Sequence, residues 1–146
     1  MNYDEVEAKV FSWIKDIDTI MHTRKVVNYA MIIAREECPE CMDDVLLAAY
    51  LHDILKDKDS KGNEHAIKGA LLVEQILKDH FPEYNHRKIL HAIRYHEDER
   101  VTNDAFIGSL WDATLLAKEN KDINVFNTAK GIELALSTHP IVTVIQ

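Results

Sequence analysis

Apolar residues recur every three or four positions along most of the chain, and this spacing restricts the fold more than any other feature of the sequence. The row formed by Val26, Tyr29, Ala30 and Ile33, for example, places one apolar face on a helix. No segment gives a convincing pair of β-strands. We therefore predict an all-α, single-domain bundle of about six to eight helices over residues 1–146, packed mostly antiparallel because the connections are short.

Breaks in the apolar pattern give the approximate limits of the helices. The predicted helices cover about 4–16, 22–38, 41–56, 63–80, 85–97, 103–120 and 122–137. Pro39 and Pro82 mark breaks, Asn63 and Asn85 are candidate N-caps, and the polar stretch 57–63 is typical of a loop. The tail at 141–145 is rich in β-branched residues and is expected to be extended.

Charge and cysteine content exclude several kinds of partner. The net charge of −8 disfavours general binding to nucleic-acid polymers, because that affinity depends on neutralising phosphates. No apolar run approaches the roughly 18 residues of a membrane helix, and the acidic N-terminus does not resemble a secretory signal. We expect a cytoplasmic monomer or homodimer in which Cys38 and Cys41 are reduced thiols rather than a redox pair or half of a zinc site.

The eight histidines fall into two sets of four. One set lies in apolar rows and so faces the core, together with two aspartates: His22, His52, His65, His96, Asp53 and Asp112. The other set, on polar faces or near helix ends, is His80, His86, His91 and His139. A core histidine is often only hydrogen bonded, whereas a buried unpaired carboxylate costs several kcal/mol. Separate core residues and one shared site for Fe, Mn, Zn, Co or Ni therefore both remain possible.

The doublet His52-Asp53, within the segment 48–56, resembles the signature of the HD-domain metal-dependent phosphohydrolases. His22 lies about 30 residues before it, and Asp112 begins an Asp-Ala element, in the order that is found in that family. This ordered set spans about 90 residues. The resemblance implies an HD-type helical bundle with a divalent metal centre.

Two further segments resemble the dinuclear branches of that family. His65 is followed by Gly69-Ala70, and His96 is preceded by Ala92-Ile93, an order similar to that of the symmetrical dinucleoside tetraphosphatases. Glu97 departs from that branch, which commonly has Thr there, and the chain is also shorter. His96-Glu97 looks like the His-Glu of cyclic-dinucleotide phosphodiesterases, but their long Gly- and Pro-rich stretch is missing.

The resemblance also implies roles for individual residues. The first ion would be held by His22, His52, Asp53 and Asp112, and the second by Asp53, His65 and His96. Two such ions can activate water and stabilise an in-line displacement at phosphorus. Asp53 and Lys56 are the expected catalytic residues, and Lys56, Arg24 and Arg94 are candidate phosphate contacts. Solvated surface positions are the alternative for each of these three cations.

Two side chains beside the expected ligands have two interpretations each. Glu97 is either a partner that orients a ligand histidine or a solvated residue at a helix end. Trp111 is either a core residue or part of the wall of a base pocket. Neither residue changes the class of function that the sequence predicts.

The predicted function is a metal-dependent phosphohydrolase that acts on a small phosphorylated molecule, with a nucleotide as the first choice. One alternative is a mixed-valent di-iron oxygenase of the same superfamily, which would need iron and oxygen where a hydrolase tolerates Mn or Co. The other is a non-catalytic sensor domain that keeps its metal for stability.

Overall fold

The chain folds into seven α-helices within the residues that the computed structural model describes, which are 1–55, 64–98 and 101–144, with the side chains of 64–67 and 138–144 left aside. The helices are α1 (Tyr3–Phe11), α2 (Ile17–Glu37), α3 (Met42–Leu51), α4 (Glu64–His80), α5 (His86–Arg94), α6 (Ala105–Ala117) and α7 (Ala129–Val144). Short 3-10 helices occupy Pro39–Cys41 and Ile123–Val125. No strand occurs in these ranges, and the predicted all-α class is confirmed.

Helix α6 forms the centre of the bundle. Eleven of its 13 residues are buried, so it is apolar on nearly every side rather than along one stripe. It packs most extensively against α2 and also contacts α3, α5 and α7. The hydroxyls of Ser109 and Thr114 donate to the backbone carbonyls of Ala105 and Trp111 in the same helix, which satisfies these polar groups inside the core.

Side-chain caps fix the starts of several helices. The predicted cap Asn85 is confirmed, since its side chain accepts from the backbone N–H of Lys88. Asp16 caps α2, so that helix begins at Ile17 and not at His22 as the apolar row suggested. The capping carboxylate satisfies a backbone donor that the helix leaves unpaired, which explains the earlier start.

The predicted helix ends differ from the observed ends in both directions. α1 stops at Phe11, α3 at Leu51 and α5 at Arg94, before the ends that the apolar pattern suggested. α7 begins later than predicted, at Ala129, and continues through Val144, so the expectation of an extended tail at 141–145 was wrong for 141–144. β-branched residues cost at most about 0.7 kcal/mol each in a helix, which is too little to end one by itself. The predicted loop at 57–63 lies outside the described residues.

Cys38 and Cys41 form a disulfide at the junction of α2 and α3, so the prediction of reduced thiols was wrong. The intervening 3-10 turn holds the two Cα atoms 5.4 Å apart, within the range that a disulfide needs. The bridge therefore closes the connection between the helices that carry His22 and His52. No helix in the described part of the chain combines the length and hydropathy needed to span a membrane.

Candidate metal centre

Two histidines lie just beyond helix ends and share one local arrangement. The Nδ1–H of His52 donates to the carbonyl of Ala49 at 2.6 Å, and the Nδ1–H of His96 donates to the carbonyl of Ile93 at 2.6 Å. Each ring thereby bonds to a carbonyl of the last helical turn, where the helix itself leaves acceptors unpaired. The Ile93 carbonyl also accepts from the backbone N–H of His96, at 3.4 Å. Because Nδ1 is used in this way, each histidine presents Nε2 to the interior, which is the orientation that a metal ligand requires.

Three ligand atoms from α2 and the end of α3 meet in a small triangle. The Nε2 atom of His22 lies 3.4 Å from Nε2 of His52 and 3.4 Å from Oδ2 of Asp53, and His52 Nε2 lies 3.3 Å from the same oxygen. Metal–ligand bonds of about 2.0–2.1 Å separate neighbouring ligands by roughly 3.0–3.4 Å. The side chains of His52 and Asp53 are 1 % and 4 % exposed, and that of His22 is 22 % exposed. The triangle therefore fits one divalent ion that remains open to a ligand from solvent.

His96 extends the cluster on the other oxygen of Asp53. Its Nε2 atom lies 3.5 Å from Asp53 Oδ1 and 3.3 Å from Glu97 Oε1. The rings of His52 and His96 meet edge to face, with centroids 5.2 Å apart. Lys118, at the end of α6, donates to the same Glu97 oxygen at 3.0 Å. Asp53 thus has histidine nitrogens on both of its carboxylate oxygens.

The protein groups alone give His96 and Glu97 strongly shifted pKa values. Burial opposes the charged form of His96, but hydrogen bonds with Asp53 and Glu97 outweigh it and raise its pKa to about 9. The hydrogen bond from His96 lowers the pKa of Glu97 to about 2, against the effect of burial and with the help of Lys118. Without an ion, a protonated His96 therefore lies between the carboxylates of Asp53 and Glu97, and a divalent cation would have to displace its proton to bind Nε2.

Asp112 is fully buried, as its position on α6 predicted, but its carboxylate is directed toward the start of α7. One oxygen accepts from the backbone N–H and the side-chain amide of Asn127, at 2.8 and 3.1 Å. The other accepts from the backbone N–H and the hydroxyl of Thr128, at 2.7 and 2.6 Å. Burial raises the pKa of Asp112, and these bonds oppose that rise. The ligand triangle does not include Asp112, and its role as a metal ligand stays a prediction.

A glycine in α7 is matched to this carboxylate. A Cβ added at Gly131 would overlap with the Asp112 carboxylate and would crowd the Thr128 hydroxyl at 2.8 Å. The Gly131 N–H donates to that hydroxyl at 2.9 Å. Asp112 therefore joins the central helix to the first turn of α7, a contact between distant segments that helical spacing could not predict.

The remaining predicted site residues are distributed as follows. Arg24 pairs with Glu7 at 3.6 Å and lies over the ring of Phe11. Arg94 lies over Tyr95, and its buried Nη1 atom has no hydrogen-bond partner among the described residues. His65 belongs to α4, but its side chain is outside the described part of the chain, and Lys56 lies outside it altogether.

The four histidines assigned to polar positions are also partly accounted for. His80 and His91 are exposed, and His86 is half-buried with its Nε2 bonded to the Phe81 carbonyl. The side chain of His139 is outside the described ones. The exposure of His80 and His91 agrees with the predicted solvated set, whereas His86 is half-buried, as is His22 of the inward set.

Sequence reasoning missed the contribution of Lys118 to the site. Lys118 follows Trp111 by seven residues and so lies on the same face of α6, a spacing that could have identified it. Asn127 and Thr128 carried no comparable signal, because the sequence predicted a helix from 122 onward, whereas both residues precede the start of α7 at Ala129.

Comparison with known proteins gives one match. The family model described as HD domain matches residues 19–127, about three quarters of the chain. The matched span contains the ligand triangle, His96 and Asp112. Neither the curated proteins nor the solved structures provide a match.

Proposed function

This chain belongs to the HD-domain family, whose members are generally metal-dependent phosphohydrolases, and we propose that it hydrolyses a small phosphorylated substrate, most simply a nucleotide. The observation that carries this proposal is the triangle of His22, His52 and Asp53, whose ligand atoms lie 3.3–3.4 Å apart. Its donor set of two imidazoles and one carboxylate suits a divalent transition metal.

A divalent ion at this site would supply an activated water molecule and would neutralise charge on the phosphoryl group. The protein's part is to keep the donor atoms in place. The hydrogen bond from His52 Nδ1 to Ala49 sets the ring orientation, and burial keeps competing water away from Asp53. The half-buried His22 leaves the open side through which a substrate phosphate can approach.

We further propose that a second ion binds on the Oδ1 side of Asp53, with His96 as a ligand. His96 already presents Nε2 to that oxygen, and its orientation is fixed in the same way as that of His52. His65 completes this set in the resemblance to the dinucleoside tetraphosphatases, and Asp112 would belong to the first ion. A carboxylate that serves two ions would make Asp53 the residue most sensitive to substitution.

Positive side chains are needed around the centre because the chain carries a net charge of −8. Arg94, two residues before His96, remains a proposed phosphate contact, since a phosphate oxygen would give its buried Nη1 atom a hydrogen-bond partner that no described residue supplies. Lys56 remains a proposed phosphate contact because it follows Asp53 by three residues in the sequence. Arg24 is a weaker candidate because it is engaged with Glu7.

Phosphate release tests the proposed function directly. The protein, loaded in turn with Mn, Fe, Co or Ni without oxygen, is assayed on a panel of nucleotides and other phosphoesters and phosphoanhydrides. We expect metal-dependent release that falls at least 100-fold in Asp53→Asn and is unchanged in Asp79→Asn, a matched substitution of an exposed carboxylate on α4. No release from any substrate with any metal would overturn the proposal. Oxygen consumption only in the iron-loaded protein would instead indicate the oxygenase alternative.

A further inference from the structure

A small cavity lies beside His96, between the end of α5, the face of α6 and the segment 120–127. Its volume is about 130 Å³, and its apolar walls include Tyr95, Trp111 and Leu115. Pockets for whole drug-sized ligands have about 300 Å³ or more. A cavity of about 150 Å³ in a protein core is enough to hold benzene. The present cavity is slightly smaller but opens to solvent on one side, so it has room for one six-membered ring.

The polar groups of the cavity can bind a ring that carries both donors and acceptors. The side-chain oxygen of Asn120 accepts from the backbone N–H of Asp122 at 2.8 Å, which leaves the Asn120 amide nitrogen to donate. One carboxylate oxygen of Asp122 accepts from the N–H of Asn124 at 3.1 Å, and the other is available as an acceptor. A polar ring can form hydrogen bonds with both groups, whereas an apolar ring such as benzene can form none.

The walls of the cavity are held in place by hydrogen bonds. The Trp111 indole N–H donates to the carbonyl of Ala92 at 2.9 Å, which fixes the plane of the ring. The Asn127 side chain accepts from the Thr102 N–H at 2.8 Å and donates to Asp112 at 3.1 Å. A ligand would therefore enter a site that is already formed, with little loss of side-chain freedom.

The cavity adjoins the candidate metal centre through one residue. His96 lines the cavity, and its Nε2 atom lies 3.5 Å from Asp53 Oδ1. A ring bound in the cavity would therefore have a substituent within reach of the centre. Lys118 lies one turn beyond Leu115 on the same face of α6 and could contact a negatively charged substituent there.

We propose that this cavity binds the pyrimidine base of a nucleotide substrate and places its phosphate toward Asp53. The inference rests on the proposed hydrolysis of a phosphorylated molecule and adds the part of the substrate that the enzyme recognises. A purine, with two fused rings, exceeds the size of the cavity. Asn120 and Asp122 supply the donor and acceptor that match the polar edge of a pyrimidine.

Steady-state kinetics tests this selectivity. For the metal-loaded protein we expect kcat/KM for pyrimidine 5′-nucleotides to exceed that for purine 5′-nucleotides by tenfold or more. Leu115→Phe fills the cavity and Asn120→Ala removes its donor, and each should lower kcat/KM for pyrimidine nucleotides about tenfold. Ribose 5-phosphate, which has no base, should be turned over by both variants within about twofold of the wild-type rate. Asn124→Ala, an exposed position in the same segment, is the matched control and should behave as wild type.

Binding of free nucleosides tests the cavity without any turnover. Trp13→Phe leaves Trp111 as the sole tryptophan, so its indole N–H resonance can be followed by NMR. We expect cytidine, and not adenosine, to shift this resonance, and Leu115→Phe to abolish the shift. A shift with cytidine but no phosphate release from any substrate would support the cavity and refute hydrolysis. Hydrolysis without base preference and with an unmoved Trp111 resonance would overturn this inference and leave the hydrolase intact.

Discussion

The Nε2 atoms of His22 and His52 lie 3.4 Å apart, although the two residues are 30 positions apart in the chain. The packing of α2 against α3 brings them together, and Asp53 completes a triangle with both. Because Nδ1 of His52 bonds to Ala49, its Nε2 atom is directed at the same small space as His22 Nε2 and Asp53 Oδ2. Three ligand atoms directed at one point suit a bound divalent ion.

Removal of the metal should lower the thermal stability of the protein. An ion present at 100 times its dissociation constant stabilises the folded state by about 2.7 kcal/mol. For a chain of this size that corresponds to a fall in Tm of roughly 5–10 °C on chelation. Differential scanning calorimetry with and without chelator measures it. His91→Ala, an exposed histidine, should respond as wild type, whereas a chelator response of normal size in His52→Ala would contradict the assignment.

Glu97→Gln should lower the pKa of His96 from about 9 in protein stripped of metal, because the negative partner of the imidazole is removed. The His96 Cε1–H resonance reports this pKa by NMR. A folded-state pKa above the usual value of about 6.5 means that protonation stabilises the fold. That contribution is complete below about pH 6.5 and is lost as the pH rises to about 9. The stability of Glu97→Gln should decline less than that of wild type over this interval, and equal declines would refute the coupling.

Gly131→Ala and Gly69→Ala should have opposite effects on stability. A methyl group at Gly131 overlaps with the Asp112 carboxylate, and such overpacking costs about 1–3 kcal/mol. No described residue lies within 4 Å of a Cβ at Gly69 in α4, so alanine there should stabilise the helix by about 0.5–1 kcal/mol. Urea denaturation measures both differences. An unchanged free energy of unfolding in Gly131→Ala would contradict the close contact between Asp112 and α7.

Asp112→Asn should destabilise the protein because one of its acceptor oxygens becomes a donor. Buried N–H and O–H groups of Asn127 and Thr128 would lose their partner, at a cost of about 1–3 kcal/mol. Thr128→Val removes only the hydroxyl contribution and should cost less. Unchanged stability in Asp112→Asn would contradict the structural role. Loss of metal from the folded variant would show that Asp112 also binds an ion.

The inward set of residues could be predicted from helical spacing because burial repeats with the helix. His52, Asp53, His96 and Asp112 are all buried, as their positions indicated. Spacing could not show where a buried side chain points. Asp112 is directed to a segment 15 and 16 residues further along the chain, a contact that depends on the turn after α6. Helical spacing therefore predicts which residues are inside, whereas the grouping of His22, His52 and Asp53 could be expected only from the family resemblance.

Helix ends were harder to predict because side chains change them. α3 and α5 stop before their predicted ends, at the points where the His52 and His96 rings hydrogen bond to backbone carbonyls of the last turn. Asp16 begins α2 earlier than its apolar row does. Because α3 and α5 end early, the His52 and His96 rings lie at the centre. Two of the wrongly predicted helix ends are therefore at the candidate site.

Metal content per chain, measured by elemental analysis on protein purified without chelator and without oxygen, tests the central claim most directly. We predict at least one equivalent of a divalent transition metal in wild type, lost in His52→Ala and Asp53→Asn and retained in His91→Ala. Two equivalents that fall to one in His96→Ala would support the second ion. Absence of metal even after loading, or a content unchanged by His52→Ala and Asp53→Asn, would contradict the account.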